Sequence, residues 1–226
     1  MAAPKPVVRT YGRGDHVPSF GVVTVNCTST TKDEGARFLS PFYLRAKGEH
    51  AVRPGRAPIK NILFENFWQG LKVYEDQVNP ATGAIKPEYW AWRKGIWEDS
   101  RPRRFPRGKD AVPLYSHVPG DDPPLPTGYV ESRVRVYAPV YEAAVRETAS
   151  FAWLQRTAEA AAEEGKELWL FDFDGNGCLQ QGESLQWMLY NTKRKFGHGF
   201  VLAGMLMGDR PWAEPWDRSL EHASDV

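Results

Sequence analysis

Between residues 61 and 74, NILFENFWQGLKVY, the apolar positions recur at helical spacing. Phe64, Phe67, Trp68 and Leu71 stand at i, i+3, i+4 and i+7 and form one stripe fit to face a core. The period predicts a helix over residues 61–74. Beside that stripe Glu65, Gln69 and Lys72 fall at i, i+4 and i+7, which sets a carboxylate, an amide and an amine in line at the edge of a buried surface. Residues 21–28, GVVTVNCT, are β-branched and short, as a buried strand is, and a polar turn follows at 28–33. Residues 38–46 read as a second strand, and residues 47–58, rich in Gly, Pro and Arg, as a loop. Pro87 takes the place a helix favours for its first residue. In that helix Tyr89, Trp90, Trp92 and Trp97 fit core packing, with base stacking as the second reading. Residues 136–164 are Ala- and Glu-rich and read as a helix ended by Gly165. ELWLFDF at 167–173 reads as a central strand, residues 183–190 as a short helix, and GHGFVLAGMLMGDR at 197–210 as a helix whose Gly199, Ala203 and Gly204 permit close packing. The fold class expected is α+β, a mostly α-helical single domain with a few short strands.

The flanks read differently. Residues 1–20 mix prolines, glycines and charges and predict a flexible N-terminal arm, suited to binding a partner. Residues 75–88 and the proline-rich 111–128 read as loop insertions, the second a candidate lid. Residues 211–226, with Trp212 and Trp216, predict a C-terminal strap.

Composition narrows the function classes. With 226 residues, 42% apolar and 13% aromatic, the chain has ample material for one core. Lys and Arg number 29 against 28 Asp and Glu, so a protein that coats nucleic acid or anionic membrane is not expected. Cys27 and Cys178 are too few for a disulfide framework and lack metal-ligand spacing, so both are read as buried thiols. No apolar run has the length of a membrane span and no leader is visible, which sets the expectation of a cytoplasmic protein.

Three further groups carry candidate chemistry. SRPRRFPRGK at 100–109 is the most basic segment, either a solvated face or a phosphate clamp of Arg104, Arg107 and Lys109. Asp172 and Asp174 crowd the end of the 167–173 strand. The calcium-loop spacing is incompletely met there, so the two are read as the acidic wall of a cleft and no metal is assigned. His198 opens the last helix, where the readings are a satisfied histidine or a substrate contact.

The pattern E-x-x-[FYW]-Q-x-x-K, carried by Glu65, Trp68, Gln69 and Lys72, resembles the central motif of the NADAR superfamily of YbiA-like N-glycosidases. Upstream, CTSTTKDEGARFLSPF at 27–42 is similar to the family's first strand and F-S-N-F segment, with Leu39, Ser40 and Phe42 in the places of Phe, Ser and Phe. Downstream, residues 129–154 resemble its long helix without a gap, and LMGDR at 206–210 its closing L-M-x-x-R. The likeness spans residues 21–210. Asn66 stands where the family usually has His and Gly70 where it has Ala. The family's Trp-Gly pair has no counterpart between Phe173 and Gln186, and its Asn-x-x-Gly appears as Phe200 and Ala203.

The resemblance implies a hydrolase of N-glycosyl bonds that needs no cofactor and acts on a ribosyl phosphate or an ADP-ribosyl compound, free or on nucleic acid. Glu65 and Lys72 are then the catalytic pair. Ser40, Phe42, Trp68, Gln69, Arg104, Arg107, Lys109, Asp172, Asp174 and His198 are the expected substrate contacts. Two other readings stand beside it: a non-catalytic nucleotide or nucleic-acid binder of the same fold, and a structural or assembly protein of a virus.

Overall fold

The computed structural model describes residues 4–48, 59–118 and 126–224. The fold is a mixed α+β arrangement of short helices around three small sheets. β8 (Glu167–Phe171) is the centre of a parallel sheet, flanked by β1 (Val8–Tyr11) and β2 (Val22–Asn26). Trp169 pairs with Arg9 on one side and Thr24 on the other. A strand covered on both edges suits the apolar run of 167–171, whose Leu168, Trp169 and Leu170 are all buried. β1 lies inside the segment expected to be a loose arm. Its alternation of Val8 and Thr10 inward is a period-2 signal only two residues long, easily missed among prolines.

The stretch 61–74 is not one helix. β4 (Ile59–Leu63) pairs antiparallel with β3 (Arg45–Gly48), α1 runs only over Phe64–Gly70, and β5 (Lys72–Val73) follows at once. The helix ends where α2 (Pro87–Glu98) crosses it. Trp97 donates its indole N–H to the Phe67 carbonyl at 3.2 Å and Tyr89 its hydroxyl to the Gly70 carbonyl at 3.1 Å. A Cβ on Gly70 would stand 2.3 Å from the Trp97 indole nitrogen, so only glycine admits this crossing. β5 then pairs with β6 (Tyr115–His117), which pairs with β7 (Pro126–Thr127). These strands replace part of the expected loop at 111–128; residues 119–125 and most of the expected 47–58 loop lie outside the described residues. The strand expected at 38–46 is mostly turn. A 3-10 helix over Glu34–Leu39 is capped by Asp33, and the Ser40 carbonyl accepts from both Tyr43 and Leu44 at 3.0 Å.

The long helix divides in two. α3 (Tyr129–Ser132), a π-turn over Arg133–Tyr137 and α4 (Ala138–Arg146) run on continuously. α5 (Ala149–Glu163) then starts afresh, because the Thr148 side chain caps it by accepting from the Phe151 N–H at 3.1 Å. α6 (Leu185–Tyr190) and α7 (His198–Met207) complete the set, and Trp212 of the following segment is buried with its indole on Glu142. Cys27 and Cys178 are free and buried. Among the described residues no helix is long and apolar enough to cross a membrane.

Arg133 in the π-turn is 1% exposed, and its guanidinium caps α6. It donates to the carbonyls of Leu189 at 2.6 Å and Met188 at 3.4 Å, to that of Asn191, and to that of Arg194 at 2.9 Å. Removing it leaves several buried carbonyls without a donor, each costing about 1–3 kcal/mol. Arg133→Met is therefore expected to lower unfolding free energy by at least about 3 kcal/mol in urea titration; a loss below about 1 kcal/mol contradicts this capping role.

Candidate active site

A cavity of about 440 Å³ opens beyond the C-terminal ends of the parallel strands β2 and β8, the usual place for a ligand in such a sheet. Each wall comes from a different element. α1 contributes Glu65, Trp68 and Gln69, and β5 contributes Lys72. The turn after the first 3-10 helix brings Ser40 and Phe42; the loop after β8 brings Asp172, Phe173 and Asp174. Tyr129 and Tyr137 come from the first and last positions of the α3 and π-turn stretch, and Lys195, Phe196 and His198 from the approach to α7. Arg104, Phe105 and Val112 line the remaining side.

Of the side chains singled out from sequence, all but Arg107 and Lys109 line this cavity. Arg107 is held elsewhere by Asp76 and lies over the Tyr74 ring, 5.6 Å from its centroid. Lys109 is exposed and apart from the cavity. Neither belongs to a clamp with Arg104, because the Asp76 carboxylate on the turn after β5 draws the end of the basic segment away.

The polar centre is a three-member chain. Lys72 Nζ donates to Gln69 Oε1 at 2.8 Å, and Gln69 Nε2 donates to Glu65 Oε1 at 2.9 Å. The amide can face only one way: its oxygen must meet an ammonium, which only donates, and its nitrogen a carboxylate, which only accepts. Although Lys72 lies on a strand, the turn at Leu71 keeps its amine beside Gln69, so the expected order of carboxylate, amide and amine survives the shorter helix. Burial pushes the Glu65 carboxyl above the usual carboxylate range, opposed by the Gln69 hydrogen bond and by the charges of Lys72 and Arg104. Burial likewise pulls the Lys72 amine down, opposed by Glu65 and Asp174. Each group is thus moved toward neutrality by desolvation and held back by its partner.

The far wall is rigid. Asp172, 2% exposed, accepts from the Gly199 N–H at 2.9 Å and the Asp174 N–H at 3.2 Å, and its Oδ2 lies 3.2 Å from His198 Nδ1. His198 Nε2 is 2.8 Å from the Cys27 carbonyl, so both ring nitrogens face protein oxygens and the ring acts as a brace. Trp68 sets its ring edge-on to Tyr137 at 4.9 Å, and Phe64 does so at 5.2 Å. Between these rings the Tyr137 phenol is kept neutral: burial first, then Asp172 and Glu65, push it well above its ordinary value. Among the described residues no cluster of three His, Cys, Asp or Glu side chains is arranged to hold a metal ion.

Sequence reasoning did not single out Tyr129, Tyr137, Phe105, Phe173 or Lys195. Tyr137 belongs to a π-turn, which shifts the helical phase by one residue and hides its inward direction from a 3.6-residue period. Lys195, whose amine lies 3.5 Å from Asp174, stands in the short basic stretch 193–195, which has no helical or strand period to give its direction.

No family model, curated protein or solved structure matches this chain. The functional reading rests on the motif order and on the site itself.

The Lys72 charge lowers the Glu65 carboxyl. Lys72→Met removes that charge while keeping most of the apolar stem, so the Glu65 titration midpoint is expected to move further up. Carboxyl-detected NMR titration checks it, with Lys94→Met, an exposed lysine, as the control. An unmoved Glu65 midpoint in Lys72→Met contradicts the coupling.

Proposed function

We propose that the protein is a NADAR-type N-glycosidase that hydrolyses the bond between C1′ of a ribosyl phosphate or ADP-ribosyl unit and a nitrogen of its base or amine. The observation that carries the reading is the hydrogen-bonded chain of Glu65, Gln69 and Lys72 on one wall of an open, partly aromatic-lined cavity. The same residues form the motif through which the sequence resembles that superfamily, which supports this reaction class.

Breaking the C–N bond moves its electron pair to nitrogen and leaves positive charge on the ribose ring carbon. Glu65, a carboxylate with a raised proton affinity, suits both charge stabilisation and removal of a proton from the water that attacks C1′. The departing nitrogen requires a proton. Lys72, with a lowered proton affinity, is the nearest donor; the alternative course is attack of its neutral amine on an opened ribose aldehyde. Gln69 fixes the spacing of the two. Trp68, Phe42 and Tyr137 supply aromatic faces for base and sugar, and Arg104 at the mouth supplies charge for phosphate. Asp172 and His198 hold the wall in place.

Glu65→Gln retains an acceptor for the Gln69 amide and removes the negative charge, so the fold persists while turnover falls about 10²–10⁴-fold. Lys72→Ala is expected to fall by a similar factor. Release of free base from ribosyl-phosphate and ADP-ribosylated substrates, followed by chromatography, measures both. Full activity in both variants contradicts the assignment.

A further inference from the structure

Phe173, on the cavity wall, has two guanidiniums against its ring. Arg13 Cζ lies 4.7 Å from the ring centroid and Arg104 Cζ 5.3 Å, so the two charges are within about 10 Å of each other. Neither arginine forms an ion pair among the described residues, whereas Arg101 and Arg103 of the same basic segment lie on Asp99 and Arg107 on Asp76. The acids close to Arg13 and to Phe173 in the chain are engaged. Asp15 turns back to accept from the Gly12 N–H at 2.8 Å, and Asp174 faces Lys195. Both guanidiniums contact one ring and neither has an ion-pair partner among the described residues, so an anionic ligand that reaches both supplies the contact they lack.

Arg13 is set there by backbone packing. The Asp172 N–H donates to the Tyr11 carbonyl at 3.0 Å. A Cβ on Gly12 would stand 2.3 Å from the Gly175 carbonyl oxygen, and one on Gly175 would stand 2.5 Å from the Tyr11 carbonyl oxygen. The two glycines therefore let the turn after β1 lie directly on the loop that carries Phe173. This turn belongs to residues 1–20, outside the stretch that resembles the superfamily.

From this arrangement we infer that the cavity mouth carries a second phosphate subsite on Arg13, adjoining the first on Arg104, and that the ligand presents two phosphoryl groups in series. Arg104 lines the cavity and Arg13 does not, so one phosphate sits at the mouth and the next just outside it. Inside the cavity Lys72 is held by Gln69 and Lys195 faces Asp174, which leaves the phosphates to Arg104 and Arg13. Phe105, 50% exposed with Arg104 Cζ 5.3 Å from its ring centroid, offers an apolar face beside the first phosphate. The inference rests on the glycosidase reading only for what occupies the cavity itself; the paired arginines stand apart from it.

Calorimetry on the full chain at low salt, with orthophosphate and inorganic diphosphate as probes, tests the subsite. Diphosphate is expected to bind about tenfold more tightly than orthophosphate. Arg13→Gln, an exposed substitution, is expected to abolish that preference and leave orthophosphate binding intact, and Arg104→Gln to weaken both. Equal affinities for the two probes in the wild type, or a preference that survives Arg13→Gln, overturns the proposal. Glu65→Gln should keep the preference, so base release that is absent from the wild type, or undiminished in Glu65→Gln, with the preference intact counts against the glycosidase reading alone. Base release with no diphosphate preference counts against the subsite alone. Displacement of diphosphate by ADP-ribose and not by a short single-stranded oligonucleotide assigns the phosphates to a nucleoside diphosphate; the reverse assigns them to a phosphodiester chain.

Discussion

The buried carboxylate of Asp172 is the constraint on which the site depends. A carboxylate taken out of water costs several kcal/mol unless hydrogen bonds replace its hydration. Here two backbone N–H groups and an imidazole do so, and each belongs to a piece of structure that must then stay where it is. The Gly199 N–H fixes the start of α7 against the end of β8, where the positive end of the helix dipole favours a negative charge. The chain must come very close to allow this. A Cβ on Gly197 would stand 2.1 Å from Asp172 Oδ2, and one on Gly199 3.0 Å from Asp172 Cβ, so the first position has no room for a side chain and the second very little. His198 between them carries the restraint on to the end of β2 through the Cys27 carbonyl.

With that wall fixed, the opposite wall is free to hold chemistry. Glu65 and Lys72 sit on two elements joined by a single residue, Leu71, whose side chain is fully buried. Gln69 sets the distance between them, so neither an ion pair in direct contact nor two independent groups results. The cavity lining carries both signs of charge, with carboxylates at Glu65, Asp172 and Asp174 and cations at Lys72, Arg104 and Lys195. A ligand that develops positive charge at one point and carries anionic groups at another fits such a lining better than a neutral or wholly anionic one.

Much of this was legible in the chain, and the failures have physical causes. The apolar run at 167–171 and the β-branched run at 22–26 announced paired strands, and Pro87 announced a helix start, because in each the signal is local. The 61–74 helix was overextended because its stripe of Phe64, Phe67, Trp68 and Leu71 spans only two turns, while pairing with β3 and β6 decided the ends. Such pairing is a tertiary fact with no local signature. β1 was lost in a segment of prolines and glycines for the same reason. In the site, the motif residues were found because they are close in sequence, and Asp172 and Asp174 because they end a central strand. Tyr137 required knowledge of a π-turn. Arg107 and Lys109 share with Arg104 a short basic segment that suits a phosphate clamp, but Asp76 holds Arg107 elsewhere and Lys109 lies apart from the cavity.

In the proposed reaction one cavity holds the scissile bond between the Glu65–Gln69–Lys72 chain and the Asp172 wall. A crystal structure of the protein with ADP-ribose bound tests it most directly. The ribose that bears the reactive C1′ is expected inside the cavity, with Glu65 and Lys72 each within about 3.2 Å of a ribose oxygen or an ordered water at C1′. Ligand bound elsewhere on the surface, with the space beside Glu65 and Lys72 vacant at saturating concentration, would contradict it.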